Sequence, residues 1–471
     1  MGNIAELVVI GGGPGGYAAA FLAADLGMQV TLVELEQNPG GVCLYRGCIP
    51  SKALLHVSKL IRETQESEKW GVKFAKPEID LEKLRGWKES VVARMTGGLG
   101  ILSKQRKINY VQGRATFLSG TKISIEKMDG GKEELEFKNA ILATGSIPMQ
   151  VPSLQLDSPR VIDSTGALAL QDIPKNMLVV GGGYIGLELG SVYASLGTEV
   201  SVVEMTPGLL PGADRDMVNI LARSIGTMMK SVMLSTKVVK MEEVSDGIKV
   251  TFEGEGIAEK EQVFEKVLVS IGRMPVTKGL GLENTKVEVD NRGFVKVNAQ
   301  QQTAEPAIYA IGDIAGNPML AHKASAEGKV AVEVIAGHKA EFKPAAIPAV
   351  IFTDPEIAWC GLTETEAKEK GIEVKVARFP WGASGRATTL DRNDGVTKLI
   401  MDPKTERILG VGVAGAGAGE LIAEGVLAVE MAATAKDMAM SIHPHPTLSE
   451  TLMETAEVFF GQATHLYRPK R

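Results

Sequence analysis

The chain reads as an α/β protein, and two observations predict it. The first is an internal repeat. Residues 7–34 read LVVIGGGPGGYAAAFLAADLGMQVTLVE, and residues 178–204 read LVVGGGYIGLELGSVYASLGTEVSVVE. Aligned on their glycines, Gly11, Gly13 and Gly16 correspond to Gly181, Gly183 and Gly186, and Glu34 to Glu204, at a constant offset of 170 residues. The second observation is a set of short apolar runs that each end in a glycine turn: AILATG at 140–145, VLVSIGR at 267–273 and IYAIGD at 308–313.

Each repeat has one physical logic. An apolar strand ends in Gly-x-Gly-x-x-Gly. The first glycine permits a tight turn, the second lets a pyrophosphate approach the backbone, and the third lets helix and strand pack closely. The helix that follows presents free N–H groups and its dipole to an anion. A second strand ends in an acidic residue that can accept from a ribose diol. Two such units, each with strand, helix, strand and terminal acid in register, predict two Rossmann-type dinucleotide-binding domains. Glu204 is followed by Met205, Thr206 and Pro207, with no arginine beside it. A carboxylate there repels a 2′-phosphate, so the second unit favours NAD over NADP. The runs 140–145 and 267–273 could close the first and second nucleotide domains. Asp313, at the end of its run, reads by itself more readily as a turn residue than as a ligand.

Composition excludes other classes. The 471 residues suggest about three domains at ~150 residues each. A net charge of −6 spread along the chain gives no nucleic-acid footprint. No apolar run is long enough to span a membrane, and no signal-like core opens the chain. Three cysteines cannot make a secreted disulfide framework, which points to the cytoplasm.

Two of those three cysteines lie in GGVCLYRGCIPSK at 40–52. A metal centre would need further ligands, but position 51 is serine and Cys360 lies over three hundred residues away. No metal site is expected. Cys360 sits in an apolar run and reads as a small packing residue. For Cys43 and Cys48 a redox pair is the better reading. Pro50 suits the first turn of a helix, which places Cys48 at a helix N-terminus where the dipole favours a thiolate. Lys52 adds a positive charge. Near the C-terminus, SIHPHPTLSE at 441–450 holds two of the six histidines. His445 could serve as a base near neutrality with Glu450 orienting it. A rigid proline-rich loop or a metal-binding pair fits the segment as well.

Taken in order, these segments make the sequence resemble the FAD-dependent pyridine nucleotide–disulfide oxidoreductases over essentially the whole chain. Within them it is most similar to the members that oxidise protein-bound dihydrolipoamide with NAD⁺. The resemblance implies a C-terminal α+β dimerisation domain after the two nucleotide domains. The expected boundaries are 1–148 for the first part of the FAD domain, 149–272 for the NAD domain, 273–346 for a central domain and 347–471 for dimerisation.

It also implies roles. Cys43 and Cys48 would form the redox disulfide, Cys43 exchanging with the substrate dithiol and Cys48 facing the flavin. Lys52 would lie near the flavin with Glu188 as its ionic partner. Glu34 would bind the adenosine ribose of one non-covalent FAD per subunit. Asp313 and the segment around Ala321 would hold its ribityl–pyrophosphate portion. Glu204 would bind the ribose of NAD⁺, the cosubstrate. Ala115, Thr144, Gly145, Tyr184, Val238 and Gly272 join the cofactor-binding positions. His445 would be the base, oriented by Glu450 and reaching the disulfide of the other subunit of a homodimer. The implied partners are dihydrolipoyl groups on an acyltransferase (E2) of a 2-oxo acid dehydrogenase complex, or on a glycine cleavage carrier protein. Two departures stand out: Tyr45-Arg46 replaces the Asn-Val of many relatives, and Tyr184 stands at a position that is aliphatic in some of them. The alternative is a related NAD(P)H-dependent disulfide or mercuric reductase; no cysteine pair follows Cys360, which counts against the second.

Overall fold

A computed structural model of the chain describes residues 4–254, 257 and 259–467. The apolar run Ile4–Ile10 forms the central strand of the first sheet, parallel to Val30–Glu34 on one side and to Lys132–Leu142 on the other. Leu7, Val8 and Val9 are fully buried, as expected of a parallel strand covered on both faces. The second sheet repeats the plan. Asn176–Val180 lies between Glu199–Val203 and Lys266–Val269, again all parallel.

Residues 140–142 and 266–269 do not form edges; each lies directly beside the central strand of its sheet. The outer neighbours are Ile308–Ala310 in the first sheet and Val161–Ile162 in the second. The chain therefore leaves the first sheet, builds the second, and returns to add one last parallel strand. That return carries Asp313 to the same end of the sheet as Gly11, which explains how residues three hundred positions apart meet.

Two further sheets are antiparallel. Thr236–Val244, Gly247–Gly254 and Glu261–Phe264 make a small sheet beside the second nucleotide unit. In the C-terminal unit the order is Ala349–Ile351, Glu356–Gly361, Ile408–Gly415, Val396–Met401 and Lys375–Pro380. The helices Ala418–Glu430 and Glu450–Phe460 pack on that sheet, giving an α+β layer. Cys360 is 1% exposed within it, among apolar neighbours, so it packs as expected. Among the described residues no helix is long and apolar enough to cross a membrane.

Candidate active site

The first glycine turn opens onto a cavity of about 560 Å³. Gly11 has φ +103°, a conformation that disfavours a side chain. A Cβ on Gly16 would sit 1.8 Å from the carbonyl oxygen of Gly11, so helix and strand touch backbone to backbone. The helix Pro14–Asp25 has no side-chain cap at Gly13, and its first-turn N–H groups are left for a ligand. Glu34 accepts from the N–H of Gly12 at 2.5 Å and of Leu35 at 2.6 Å. The carboxylate is thereby locked beside the turn.

The same cavity is walled by Gly11, Gly13, Glu34, Ala115, Thr144, Gly145, Asp313 and Ala321, and further along by Cys43, Cys48 and Lys52. Gly16 packs behind it. The spacing of an uncapped helix end, a ribose-type acid and a carboxylate at Asp313 fits a dinucleotide such as FAD. Asp313 is held by residues that sequence reasoning missed. Ser146 Oγ donates to Asp313 at 2.5 Å, and Arg273 donates to Ser146 Oγ at 2.7 Å and to its carbonyl at 2.6 Å. Their only signal was position: each directly follows a glycine turn, Gly145 or Gly272.

The second unit repeats the first, down to the bond from the glycine turn to the terminal acid. Gly181 has φ +108°, and a Cβ on Gly186 would lie 2.4 Å from the oxygen of Gly181. The helix Tyr184–Leu196 starts uncapped at Gly183. Glu204 accepts from Gly182 N–H and Thr206 N–H, both at 2.7 Å. The backbone oxygen of Glu204 accepts from Thr236 at 3.0 Å, which brings the strand carrying Val238 alongside. Gly272 follows the neighbouring strand Lys266–Val269. Gly181, Gly183, Gly186, Glu204, Val238 and Gly272 do not line the first cavity, but Tyr184 and Glu188 do. The helix Tyr184–Leu196 is therefore where the two units meet.

Cys43 lies in the helix Gly41–Arg46 and Cys48 starts the helix Cys48–Glu66. The break is Gly47. A Cβ there would lie 2.8 Å from the oxygen of Val42 and 3.1 Å from the Cα of Cys43. Glycine thus lets the two thiols meet, and Cys43 hydrogen-bonds Cys48. That bond, opposed by burial and aided by the charge of Lys52, pushes the Cys48 thiol down to about 7. The same bond, with burial, pushes Cys43 up. The two shifts run in opposite directions and favour the thiolate at Cys48. Lys52 is fixed by Glu188 at 2.8 Å, with Phe352 under it at 4.5 Å from ammonium to ring centroid. Glu188 is 3% exposed and also accepts from Ser51 Oγ at 3.2 Å and Phe352 N–H at 2.9 Å. The residues between the cysteines have partners too: Arg46 pairs with Glu36, and Tyr45 Oη donates to the Asn38 carbonyl at 3.1 Å.

One expected outcome follows. The ultraviolet thiolate absorbance of the reduced protein should titrate near pH 7 rather than at the ordinary thiol value of 9.0. Lys52→Met should move the midpoint upward, because a cation favours the charged form. A midpoint unmoved by the substitution would refute this account.

His445 lies elsewhere. Its Nδ1 pairs with Glu450 Oε1 at 2.9 Å, and Glu450 is held by the N–H of Thr447 at 2.8 Å. The side chain is 72% exposed, and neither His445 nor Glu450 lines the cavity. His443, by contrast, is tucked between Glu424 and the Ser441 carbonyl, each at 2.8 Å. The segment is thus a loop anchored at His443 that displays His445 outward. Leu427, Met431, Met440 and Ile442 are also exposed on this unit, an apolar surface of the kind that marks an interface.

Comparisons agree with this architecture. Residues 5–328 match the family model "Pyridine nucleotide-disulphide oxidoreductase", and residues 347–456 match its dimerisation domain. The chain is 48% identical over 465 residues to the dihydrolipoyl dehydrogenase of Haemophilus influenzae, covering 99% of this chain and 97% of the relative. It is 45% identical over 465 residues to that of Bacillus subtilis, covering 98% of each. Among solved structures, LpdA from Mycobacterium tuberculosis superposes with TM-score 0.90 at 26% identity, over 97% of this chain and 99% of that one. The HOCl-induced flavoprotein disulfide reductase RclA from Escherichia coli gives 0.85 at 25% identity, over 96% and 99%. The chain belongs to the pyridine nucleotide-disulphide oxidoreductase family.

Proposed function

We propose that the chain is the FAD-containing enzyme that oxidises protein-bound dihydrolipoyl groups to lipoyl groups with NAD⁺. The observation that carries this reading is the Cys43–Cys48 pair in one cavity with the first dinucleotide cradle. The chain works as a homodimer in the cytoplasm. Its partners are the lipoylated E2 acyltransferase of a 2-oxo acid dehydrogenase complex or the glycine cleavage carrier.

The residues assign themselves by chemistry. FAD would lie with its pyrophosphate over Gly11 and Gly13, its adenosine ribose on Glu34, and its far end toward Lys52 and Cys48. Ala115, Thr144, Gly145, Asp313 and Ala321 would complete its walls. NAD⁺ would bind the second unit through Gly181, Gly183, Gly186 and Glu204, with Tyr184, Val238 and Gly272 around it. A flavin held there supplies two-electron chemistry between a dithiol and a nicotinamide.

The dithiol exchange belongs to the chain itself. Nε2 of His445, on the partner subunit, takes a proton from one substrate thiol, and Glu450 steadies the imidazolium. The substrate thiolate attacks Cys43 of the disulfide, and Cys48 leaves. The lower thiol pKa decides which sulfur departs, because the more stable thiolate is the better leaving group. The second substrate thiol then gives its proton to Cys43 as it displaces that sulfur, closing the lipoyl disulfide. The substrate loses two electrons and two protons. The electrons reside on the pair, one proton on Cys43 and one on His445.

The direct test is NADH formation from dihydrolipoamide and NAD⁺ by the purified yellow protein. Absence of turnover at full FAD loading removes the proposal. Cofactor choice gives a second measurement. The hydrogen-bond partners of the Glu204 carboxylate are backbone N–H groups, so its charge still faces a 2′-phosphate. Like-charge contacts cost several kcal/mol, so kcat/KM for NAD⁺ should exceed that for NADP⁺ by at least ~100-fold. Glu204→Arg should shift preference toward NADP⁺. Equal kcat/KM values in the unaltered protein would contradict the role given to Glu204.

A further inference from the structure

A buried charge cluster joins the second nucleotide unit to the C-terminal unit. Lys398, 1% exposed on the strand Val396–Met401, donates to Asp214 at 2.6 Å, to Asp216 at 2.9 Å and to Glu364 at 2.9 Å. The three carboxylates converge within 4.8 Å, but the ammonium already donates to all of them, so the place is filled by a lysine rather than offered to a metal. Arg378 closes the ring by bonding Asp216 at 2.7 Å and Glu364. Asp214 also accepts from the N–H groups of Glu364 at 3.1 Å and Thr365 at 3.2 Å, at the start of the helix Glu364–Lys370.

The cluster has a path to the nucleotide turn. Asp214 and Asp216 flank Arg215, the first residue of the helix Arg215–Met228. The Arg215 guanidinium gathers the carbonyls of Leu209 at 2.7 Å, Leu210 at 2.6 Å and Ala213 at 2.7 Å. Leu210 N–H in turn donates to the oxygen of Gly182 at 3.0 Å, and Gly182 N–H is the group that Glu204 holds. A Cβ on Gly182 would lie 2.7 Å from Leu209, so loop and turn are in contact. The loop 205–213 therefore lies against the second glycine turn at one end and is nailed to the other unit at its far end.

We propose that Lys398 is a positioning residue for the pyridine nucleotide: by fixing Asp214 it holds the loop 205–213 in the form that shapes the Gly182–Glu204 turn. Buried ion clusters add little net stability but can specify one arrangement. Burial disfavours the Lys398 charge, yet the three carboxylates more than offset it, and the group is held above its ordinary value. The bodies of the two units are attached separately. Met217, Leu221, Ile351, Ile357 and Ala414 belong to one apolar cluster that does not depend on the lysine. Loss of the brace thus loosens the loop rather than parting the units. A binding form that is only partly populated weakens apparent affinity by its fraction.

The proposal rests on the reading of the Glu204 unit as the NAD⁺ site. Its test uses the FAD-loaded Lys398→Met/Asp214→Asn enzyme, which removes one charge of each sign and leaves Asp216 and Glu364 with Arg378. The probe is ADP-ribose, which carries the adenosine ribose and pyrophosphate but cannot react. Its Kd by calorimetry should rise at least ~5-fold, the lower range of coupling between linked sites. The rate of the dithiol half-reaction, measured by anaerobic mixing with dihydrolipoamide, should not change. If the double variant does not fold, Asp214→Asn alone asks the same question, since asparagine keeps an oxygen for the N–H groups of Glu364 and Thr365. An unchanged Kd in whichever variant folds overturns the proposal, as does an equal loss in both half-reactions. Failure of the unaltered enzyme to bind ADP-ribose would instead remove the underlying reading, and the proposal with it.

Discussion

Cys43→Ser and Cys48→Ser should each lower NADH production from dihydrolipoamide by at least ~10³-fold, about 4 kcal/mol of barrier. The exchange needs two sulfurs that can each be attacked and each leave as a stable anion. Serine offers neither, since its oxygen forms no bond to sulfur under these conditions and its alkoxide is far too basic. The two variants should nonetheless differ in a way that assigns the roles. In Cys43→Ser, the remaining Cys48 keeps Lys52 and a hydroxyl that can still donate to it. It should stay a thiolate at neutral pH and react quickly with iodoacetamide. In Cys48→Ser, the bond to the Cys48 sulfur that held Cys43 up is gone, but burial still disfavours the Cys43 charge. This thiol should react slowly until well above neutrality. If Cys48→Ser were the faster of the two, the charge would rest on Cys43, and the order of attack and departure would be reversed.

The nucleotide architecture was legible in the sequence because it rests on local rules. A glycine that must accept a positive φ, and one that must leave room for a carbonyl, declare themselves by type and spacing, as Gly11, Gly16, Gly181 and Gly186 do. Each terminal acid, Glu34 or Glu204, bonds the glycine turn 22 residues before it, so one short window holds the whole device. Strand order was less legible. Whether 140–142 is an edge depends on where 308–310 lands, and no local pattern states that. The supports of the site were hidden for the same reason. Ser146 and Arg273 act on Asp313 from 167 and 40 positions away, and Lys398 reaches Asp214 across 184 residues. Serine, arginine and lysine are ordinary surface residues in a sequence; only the fold shows that these have buried partners. His445 is the intermediate case. Its pairing with Glu450 spans five residues and could be read. Where it stands relative to the cavity of the cysteines depends on the fold, which no local pattern states.

The proposed homodimer gives the second large effect: a mixed dimer of one Cys43→Ser chain and one His445→Gln chain should recover about half the unaltered activity, although neither parent homodimer has appreciable turnover. A general base contributes typically ~10²–10⁴-fold, so a site without it is nearly silent. Within one chain the base cannot serve its own cysteines as arranged here. His445 is 72% exposed, its Nδ1 is committed to Glu450, and it lies outside the cavity that holds Cys43 and Cys48. The unit that carries it matches a dimerisation domain and exposes Ile442 almost completely three residues before it. If each site combines the cysteines of one subunit with the histidine of the other, the mixed dimer holds one site lacking both groups and one that is complete. Independent sites then give half activity by additivity. If both groups came from one chain, every site in the mixed dimer would be damaged and no recovery could occur. The two variants can be co-expressed with different tags and the mixed species purified through both. Folding and FAD content are checked by the flavin spectrum before assay. Recovery near half supports the crossed site. A silent mixed dimer with full flavin loading would show that His445 serves its own chain, and the exposed loop would then have to move to reach Cys43.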